Sequence, residues 1–415
     1  MKKILTLAII ACITSTAYSQ QIKSYDLDVQ IDIRSKKIKV KGTIAIDFES
    51  QKRISTVLWK HTIINEISSG KTPISYAFET SKPTPIIFID EGRGLIIPNP
   101  SNKKGAVPIF VNYESDFTDM ESSAESFTNE WLQIGFYNAW FPVDLNSKKA
   151  TSKIRLSIDK DYKVSSSGLV SKKGGIWEIT QPWYAYDNVI IAAKNLKTKQ
   201  AVKDNTTIET VYTDFPEDDI ASIIETSQNV LDYFGQIYPK QDDAYIKFVV
   251  KNSATGGGGY NRKNFISLRI KNYGLSTQKT IAHEVAHFWA TGADATSWED
   301  WLNESFAEYS ALLYIRDKVS NEEFKNQITK YKGYAKDAPA IWDFNRSSDD
   351  AYVVLYLKGA VILHELENKI GSKKFIEILK LKTTKGIKNT NEFLNLLEQE
   401  TSKTTRNWLE TALKS

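Results

Sequence analysis

The sequence predicts an α+β protein in which an antiparallel β-sandwich or saddle domain precedes a domain made of a small sheet and mostly helices. Residues 21 to about 200 are rich in short alternating segments such as "KIKVKGTIAIDF" and "SKIRLSI", separated by Gly, Pro, Asn and Ser, which is typical of antiparallel strands. Beyond them, apolar residues recur at three- and four-residue spacings, which indicates amphipathic helices. At 415 residues the chain also exceeds the usual size of one core, so two domains are expected.

The first twenty residues, "MKKILTLAIIACITSTAYSQ", have the pattern of a secretory signal peptide. Two lysines precede a short apolar stretch, and the small residues Ala17 and Ser19 lie near its end. We therefore expect an exported protein, periplasmic or secreted. The only cysteine, Cys12, lies inside this segment, and "IIAC" also fits a lipoprotein processing site that would leave the protein lipid-anchored. After ordinary cleavage no cysteine remains for a disulfide, a thiolate ligand or a nucleophile.

Composition and charge exclude several classes of partner. The net charge of +4 is small for a chain of this length, and lysine-rich stretches such as "RSKKIKVKG" alternate as a half-exposed strand does, so no nucleic-acid partner is expected. No later segment is long and apolar enough for a transmembrane helix. The sequence has neither a Gly-x-Ser-x-Gly elbow nor a Gly-x-x-x-x-Gly-Lys-Ser/Thr loop, which removes the commonest serine-hydrolase and nucleotide-binding signals.

The two domains are predicted over residues 21–203 and 204–415, with the polar stretch "KTKQAVKDNTT" near residues 197–207 interpreted as a linker. A helix is expected after Pro216, where three acidic residues follow. Two strands, "AYIKFVV" and "NFISLRI", then flank a glycine run. The next helix is expected to be capped by Ser276 or Thr277 and to end near Gly292. Most of the chain beyond residue 297 has a helical pattern.

The segment "TIAHEVAHFWATG", residues 280–292, carries a candidate metal site. On a helix, His283 and His287 point the same way because they are four residues apart. Glu284 is rotated by about 100° from His283 and can reach a water on an ion held by the histidines. This is the His-Glu-x-x-His arrangement of zinc hydrolases. The alternative is an amphipathic helix with two surface histidines.

A second helical segment, "SWEDWLNESFAEYSALLYIRD", offers carboxylates to the same site. Glu304 and Glu308 are four residues apart and share one face. One can complete a three-residue zinc site, and the other can orient a histidine through its distal ring nitrogen. A solvated acidic face is the alternative, but both acids lie among large apolar residues, where a carboxylate usually needs a partner.

These motifs resemble the aminopeptidase N-like zinc metallopeptidases, peptidase family M1 within the gluzincins. The resemblance includes "HEVAHFW", "WLNESFAEY", "YLKGAVIL" and a β domain that begins at "YDLDVQIDI", and it covers nearly the whole mature chain. It implies a thermolysin-like catalytic domain, a peptide or protein substrate and one zinc ion. The implied zinc ligands are His283, His287 and Glu304.

The resemblance also assigns the catalytic groups. Glu284 is implied as the general base, and Tyr356 of "YLKG" as the phenol that stabilises the oxyanion. Tyr352, one helical turn away, is the alternative to Tyr356. By analogy with other gluzincins, Glu308 is expected to hydrogen-bond to a histidine ligand.

The sequence departs from the family pattern where the family binds the substrate's free amine. The family's Gly-x-Met-Glu-Asn motif is replaced by "TGGGGYNRKN", which has no acid. Substrate backbone contacts are expected at Gly257, Gly258, Gly259 and Tyr260. A β-domain residue that also contacts the amine falls near the neutral Gln133. The connection between the second histidine and the third ligand is also shorter than usual. A zinc endopeptidase and a non-catalytic surface-binding protein therefore remain alternatives to an aminopeptidase.

Overall fold

The computed structural model describes residues 21–49, 51–82, 88–89, 91–101, 105–120, 124–144, 150–203, 206–240, 245–254 and 257–415. The expected signal peptide and Cys12 lie outside these residues. Within them, no helix has the length and apolar character needed to cross a membrane.

The strands follow in chain order and are concentrated in the first half of the chain. They are β1 (Gln21–Asp32), β2 (Lys37–Asp47), β3 (Arg53–Trp59), β4 (Thr62–Ser69), β5 (Thr72–Pro73), β6 (Ala77–Phe78), β7 (Gly92–Pro98), β8 (Ala106–Asp116), β9 (Ser126–Phe127), β10 (Leu132–Ile134), β11 (Ala150–Ser157), β12 (Lys163–Ser166), β13 (Leu169–Lys173), β14 (Ile176–Ala185), β15 (Ile190–Ala193), β16 (Lys197–Lys203), β17 (Thr206–Tyr212), β18 (Tyr245–Asn252), β19 (Gly259–Arg262) and β20 (Phe265–Ile270).

The helices occupy the second half. They are α1 (Glu217–Ile237), α2 (Leu275–Ala286), α3 (Trp301–Tyr314), α4 (Asn321–Ala335), α5 (Gly359–Ile370), α6 (Ser372–Thr384), α7 (Thr390–Glu400) and α8 (Lys403–Lys414). Two π-helical segments, Ile315–Val319 and Val353–Lys358, extend α3 and precede α5.

In the described part of the N-terminal half, the strands form three sheets. The largest has the order β13-β14-β11-β1-β2-β8-β4-β5, and the smaller ones are β12-β15-β10-β9 and β3-β7-β6. Pairing is antiparallel apart from the parallel pair of β1 and β11. Strands such as β8 alternate between buried and more exposed residues, because one face covers the core and the other meets solvent. Trp140 and Phe141 are fully buried in this core, so the aromatic segment around them packs the domain. The predicted α+β class, with β structure first, is confirmed.

The stretch interpreted as a linker is instead a β-hairpin. Strands β16 and β17 pair in register from Lys197 with Tyr212 to Lys203 with Thr206, and they start the five-stranded sheet β16-β17-β18-β20-β19. The edge strand β16 has no buried residue. Its polar sequence therefore reflects an exposed edge, which composition does not distinguish from a linker.

The five-stranded sheet separates two cores. Phe248 and Val250 of β18 face the helical core, whereas Val249, on the opposite side of the strand, faces the β domain. Coverage on both faces explains the continuous apolar run of β18. We call the apolar contact between the β domain and this sheet the interdomain seam; its buried members are Trp131, Val189, Ile191, Ala193, Leu196, Val211, Val249, Tyr260 and Phe265.

Candidate metal centre and active site

Helix α2 carries the two histidines at its C-terminal end. Ile281, Ala282 and Val285 are buried in the helical core and fix the rotation of the helix. The helix begins after Gly274, which provides no side-chain cap, and it ends at Ala286. Both predicted ends are therefore corrected.

The early end of α2 has a structural role. His287 is the C-terminal cap residue, and the following chain folds into a tight turn. The turn brings the carbonyl of Ala290 to 3.0 Å from His287 Nδ1. If the helix continued to Gly292, that carbonyl would point along the helix axis towards the next turn. The turn therefore gives His287 a fixed acceptor for its distal ring nitrogen.

Three ligand atoms converge between α2 and α3. His283 Nε2 and His287 Nε2 are 3.2 Å apart, and they lie 3.4 Å and 3.3 Å from Glu304 Oε2. We call His283, His287 and Glu304 the metal triad. Tetrahedral bonds of about 2.0–2.1 Å place neighbouring ligand atoms about 3.3 Å apart, so the triad has the spacing that zinc requires.

The hydrogen-bond pattern of the triad also fits a cation. His283 Nδ1 lies 2.8 Å from a carboxylate oxygen of Glu308, and His287 Nδ1 lies beside the Ala290 carbonyl. Both partners are acceptors, so each neutral imidazole carries its hydrogen on Nδ1 and a lone pair on Nε2. Two lone pairs that face each other at 3.2 Å repel unless a positive charge lies between them, which is a proton in the metal-free protein and can be a metal ion in its place. Glu304 Oε2 is buried and accepts no hydrogen bond from the described residues, so it is available as a third ligand atom at the same place.

Helix α3 provides the two carboxylates. Every residue from Ser305 to Tyr314 is buried, because apolar side chains surround the whole helix. Glu308 lies one turn after Glu304, and its two oxygens are divided between partners. Oε2 accepts from His283, while Oε1 accepts from Lys279 Nζ at 2.6 Å and from the Tyr331 hydroxyl. The structure thus places Glu308 where it can orient His283.

Glu284 lies between α2 and the edge strand β19. A Cβ atom added to Gly259 would be 2.8 Å from Glu284 Oε1 and 2.5 Å from the backbone oxygen of Ser267. Glycine therefore permits β19 to approach the carboxylate. Asn261 Nδ2 donates to the backbone oxygen of Glu284 at 2.9 Å and ties the strand to the helix. Burial raises the pKa of Glu284, against the lowering effect of His283 and other positive charges.

Tyr356 lies in the π-helical segment and faces the metal triad. Its ring stacks on that of His283 with centroids 5.8 Å apart and an interplanar angle of 7°. Burial, and then the charge of Glu304, raise the pKa of the Tyr356 phenol well above its ordinary value, so the hydroxyl remains a donor. Tyr352 is 54% exposed and its charged neighbours include Glu308 and Lys279. Tyr356 is thus the tyrosine that stacks on His283, and its catalytic role stays a prediction.

The structure corrects the expected roles of Gln133 and Tyr260. Gln133 has no exposed surface, and its Nε2 donates to the Tyr260 hydroxyl and to Ser267 Oγ, both at 2.8 Å. Tyr260 belongs to the interdomain seam and Gln133 is hydrogen-bonded to it, so both side chains are buried away from a substrate. Gly257 is exposed and Gly258 partly exposed; substrate contact at the glycines stays a prediction.

The sequence did not indicate the buried charges of the seam. Arg262 Nε donates to Asp187 at 2.6 Å, and its guanidinium lies 4.5–5.9 Å from four aromatic rings, those of Phe136, Tyr137, Tyr186 and Tyr260. Glu125 is also buried nearby, since a Cβ atom at Gly135 would contact both Glu125 and Asp187. Arg262 lies two residues beyond Tyr260 on β19 and so shares its face of the strand. This spacing is the one local feature of the sequence that could have indicated a buried Arg262. Asp187 has no such signal because 75 residues separate it from Arg262.

A further buried pair supports α3. Asp300 precedes Glu304 by one turn, and its carboxylate accepts from Arg346 Nε at 2.8 Å and from Asn303 Nδ2 at 2.9 Å. Burial, reinforced by the Glu304 charge, raises the pKa of Asp300 to about 6, although Arg346 opposes the shift. Its position four residues before Glu304 was a signal that sequence reasoning missed.

Zinc affinity should rise with pH. Burial lowers the pKa of His283, but Glu304 and Glu308 outweigh it and raise the pKa to about 10 in the metal-free protein. Below pH 10, each zinc ion must therefore displace at least one proton from the site in order to bind. We expect the affinity to increase about tenfold per pH unit between pH 6 and 8, measured by chelator competition. Equal affinities at pH 6 and pH 8 would contradict this protonation state.

Gly359→Ala should disturb the metal triad from a distance. The added Cβ would be 1.7 Å from Ser305 Oγ, and Ser305 adjoins Glu304. We expect a loss of about 1–3 kcal/mol in the free energy of unfolding, together with weaker zinc binding. Gly333→Ala in α4 is the control, because its Cβ would meet nothing within 4 Å. Thermal melts and chelator titrations test both variants, and a Gly359→Ala protein that matches wild type would refute the close contact.

Comparisons with known proteins agree with this geometry. Residues 267–411 match the Peptidase family M1 domain. The M1 zinc metallopeptidase from Deinococcus radiodurans has a TM-score of 0.71 at 15% identity, covering 96% of this chain and 94% of that chain. A mutant of the M1 zinc metallopeptidase from the same organism, bound to a Tyr-Ser-Ala substrate, has a TM-score of 0.69 at 15% identity, with 96% and 94% covered.

Leukotriene A4 hydrolase from Saccharomyces cerevisiae is also similar, with a TM-score of 0.69 at 16% identity over 95% of this chain and 68% of that chain. At such identities the solved structures support the fold alone, and no curated protein sequence matches significantly. The domain match and the shared fold together confirm the resemblance. Residues 267–411 thus match the peptidase family M1 domain, and the chain shares the fold of the M1 zinc metallopeptidases.

Proposed function

We propose that this chain is an exported zinc-dependent metallopeptidase that hydrolyses peptide bonds with a metal-activated water. The convergence of the metal triad beside Glu284 is the observation that carries the proposal. The signal-peptide pattern supports export, with a lipid anchor at Cys12 as the alternative form. Membership of the M1 domain family supports zinc as the metal and a peptide or protein as the substrate.

The chain's own residues can perform the proton transfers. When bound, zinc supplies a polarised water of near-neutral pKa and a Lewis acid for the carbonyl. Glu284 accepts the proton of the attacking water and passes it to the leaving nitrogen, a role that its raised pKa favours. Tyr356 remains protonated and donates a hydrogen bond to the carbonyl oxygen as negative charge develops there.

The site supports peptide-bond hydrolysis more directly than it supports recognition of a free N-terminus on the substrate. The protein is aminopeptidase-like in its metal site, and the Deinococcus radiodurans relative solved with Tyr-Ser-Ala supports short peptides as substrates. However, the strand beside Glu284, β19, carries Tyr260 and Arg262 and no acid. The nearby carboxylate of Asp187 is already paired with Arg262. A zinc endopeptidase is the second candidate, because a positively charged amine has no evident anchor on this strand.

Glu284→Gln should separate chemistry from metal binding. Glutamine keeps the size of the side chain but cannot accept the proton, so we expect peptide cleavage to fall by about 10²–10⁴ while one zinc per chain is retained. Glu322→Gln, at an exposed position of α4, is the matched control and should cleave as wild type does. Metal analysis and peptide hydrolysis provide the readouts. Cleavage unchanged in Glu284→Gln, or a zinc-loaded wild type without activity, would reject the proposal.

Blocked peptides should decide between the two specificities. An aminopeptidase needs the free amine, so acetylation of the N-terminus should abolish cleavage; an endopeptidase should cut both forms at the same internal bonds. Mass spectrometry of digests of a matched free and acetylated peptide library measures this. Because no acid lies on β19, we expect acetylation to reduce the rate by less than tenfold. A complete dependence on the free amine would assign an aminopeptidase with an anchor outside this strand.

A further inference from the structure

We propose that Lys279, assisted by Tyr331, is a positioning residue for the metal site: it holds the carboxylate of Glu308 in the orientation that presents His283 Nε2 to the metal. This inference rests on the proposed function, because it assumes that zinc binds to the metal triad. The side chains of Lys279 and Tyr331 hydrogen-bond to Glu308 and to each other, and they act on the triad through Glu308.

The contacts of Glu308 carry the proposal. The carboxylate is buried, and each oxygen has a separate set of partners. Oε2 accepts from His283 Nδ1 at 2.8 Å. Oε1 accepts from Lys279 Nζ at 2.6 Å and from Tyr331, while Lys279 Nζ and the Tyr331 hydroxyl are themselves 2.6 Å apart. Two donors on one oxygen leave the carboxylate a single orientation, and the other oxygen is thereby aimed at His283.

The positive charge of Lys279 stabilises the buried carboxylate of Glu308. A buried carboxylate without a cation is costly and tends to rotate towards water. Such a rotation would take the acceptor oxygen away from His283 Nδ1. The imidazole could then turn, and Nε2 would no longer be held in place for the metal. Tyr331 contributes a hydrogen bond but no charge, so its effect is expected to be smaller.

Lys279 lies on the same helix as His283 and also reaches a cavity. Lys279 precedes His283 by one turn of α2, so both side chains lie on the same face and approach Glu308 of α3 together. Lys279 also lines a cavity of about 530 Å³ together with Lys330, Tyr331 and Tyr352. The Lys279 side chain is 19% exposed, so small solutes in this cavity can reach the position of its ammonium group.

The first test compares two lysines of the same cavity. Lys279→Gln removes the charge but keeps most of the side-chain length, and we expect zinc to dissociate about 10–100-fold faster. Lys330→Gln is the matched control, because Lys330 lines the cavity but makes no contact with Glu308, and its zinc dissociation should match wild type. Rates are measured by transfer of zinc to an excess of chelator, with circular dichroism to verify folding.

Chemical rescue distinguishes a charge from a packing role. Lys279→Ala removes three carbons and the ammonium group, which together correspond to propylammonium. Added propylammonium should therefore slow zinc dissociation from Lys279→Ala at least severalfold towards the wild-type rate, whereas 1-propanol, of similar size but neutral, should not. Rescue by both solutes would assign Lys279 a packing role and overturn the proposal.

The remaining outcomes are also decisive. Zinc dissociation from a folded Lys279→Gln protein within twofold of wild type overturns the proposal. If the Gln and Ala variants fail to fold, Lys279→Met, which removes the charge at similar length, and Tyr331→Phe decide, and wild-type dissociation rates in both would overturn it. A wild type that binds no zinc would refute the proposed function instead, so the two failures are distinguishable.

Discussion

The packing of α2 against α3 is the constraint on which the whole site depends. Helix α2 contributes both histidines and Glu284, and α3 contributes Glu304 and Glu308. Apolar side chains of both helices lie in one core, and each fully buried side chain of this kind stabilises the fold by about 1.5–3 kcal/mol. The stabilisation from several such side chains exceeds the free-energy cost of holding two carboxylates close together. The core therefore fixes the positions of the carboxylates before any metal binds.

The interdomain seam extends this constraint to the β domain. The two faces of strand β19 make different contacts. Gly259 and Asn261 lie against Glu284, while the side chains of Tyr260 and Arg262 point to the β domain. A buried guanidinium that is paired with Asp187 and surrounded by aromatic rings resists displacement, since a break would leave two charges without partners in an apolar setting. The β domain therefore positions the edge strand beside Glu284, and the acid that it contributes there, Asp187, is paired with Arg262 of that strand.

The metal site was predictable from sequence because its signals are local. The spacing of His283 and His287, and of Glu304 and Glu308, directly reflects the helical repeat. The hairpin of β16 and β17 was not predictable, because an exposed edge strand has the composition of a linker. The short α2 was missed because its end depends on a tight turn. Gln133 and Arg262 pair with residues remote in sequence, and periodicity carries no information about such contacts.

A hydrogen bond between their chain neighbours joins the segments that carry Tyr356 and Glu304. Ser305, which follows Glu304, donates from Oγ to the backbone oxygen of Leu355 at 2.6 Å, and Leu355 precedes Tyr356. This oxygen belongs to the π-helical segment, where the wider turn leaves backbone groups more accessible to such a partner. The missing side chain at Gly359 lets α5 approach closely enough for the bond to form. Because the bond joins uncharged groups, it keeps its geometry whatever the protonation of the metal triad. The hydrogen bond thus holds the two segments of the site in a fixed relative position.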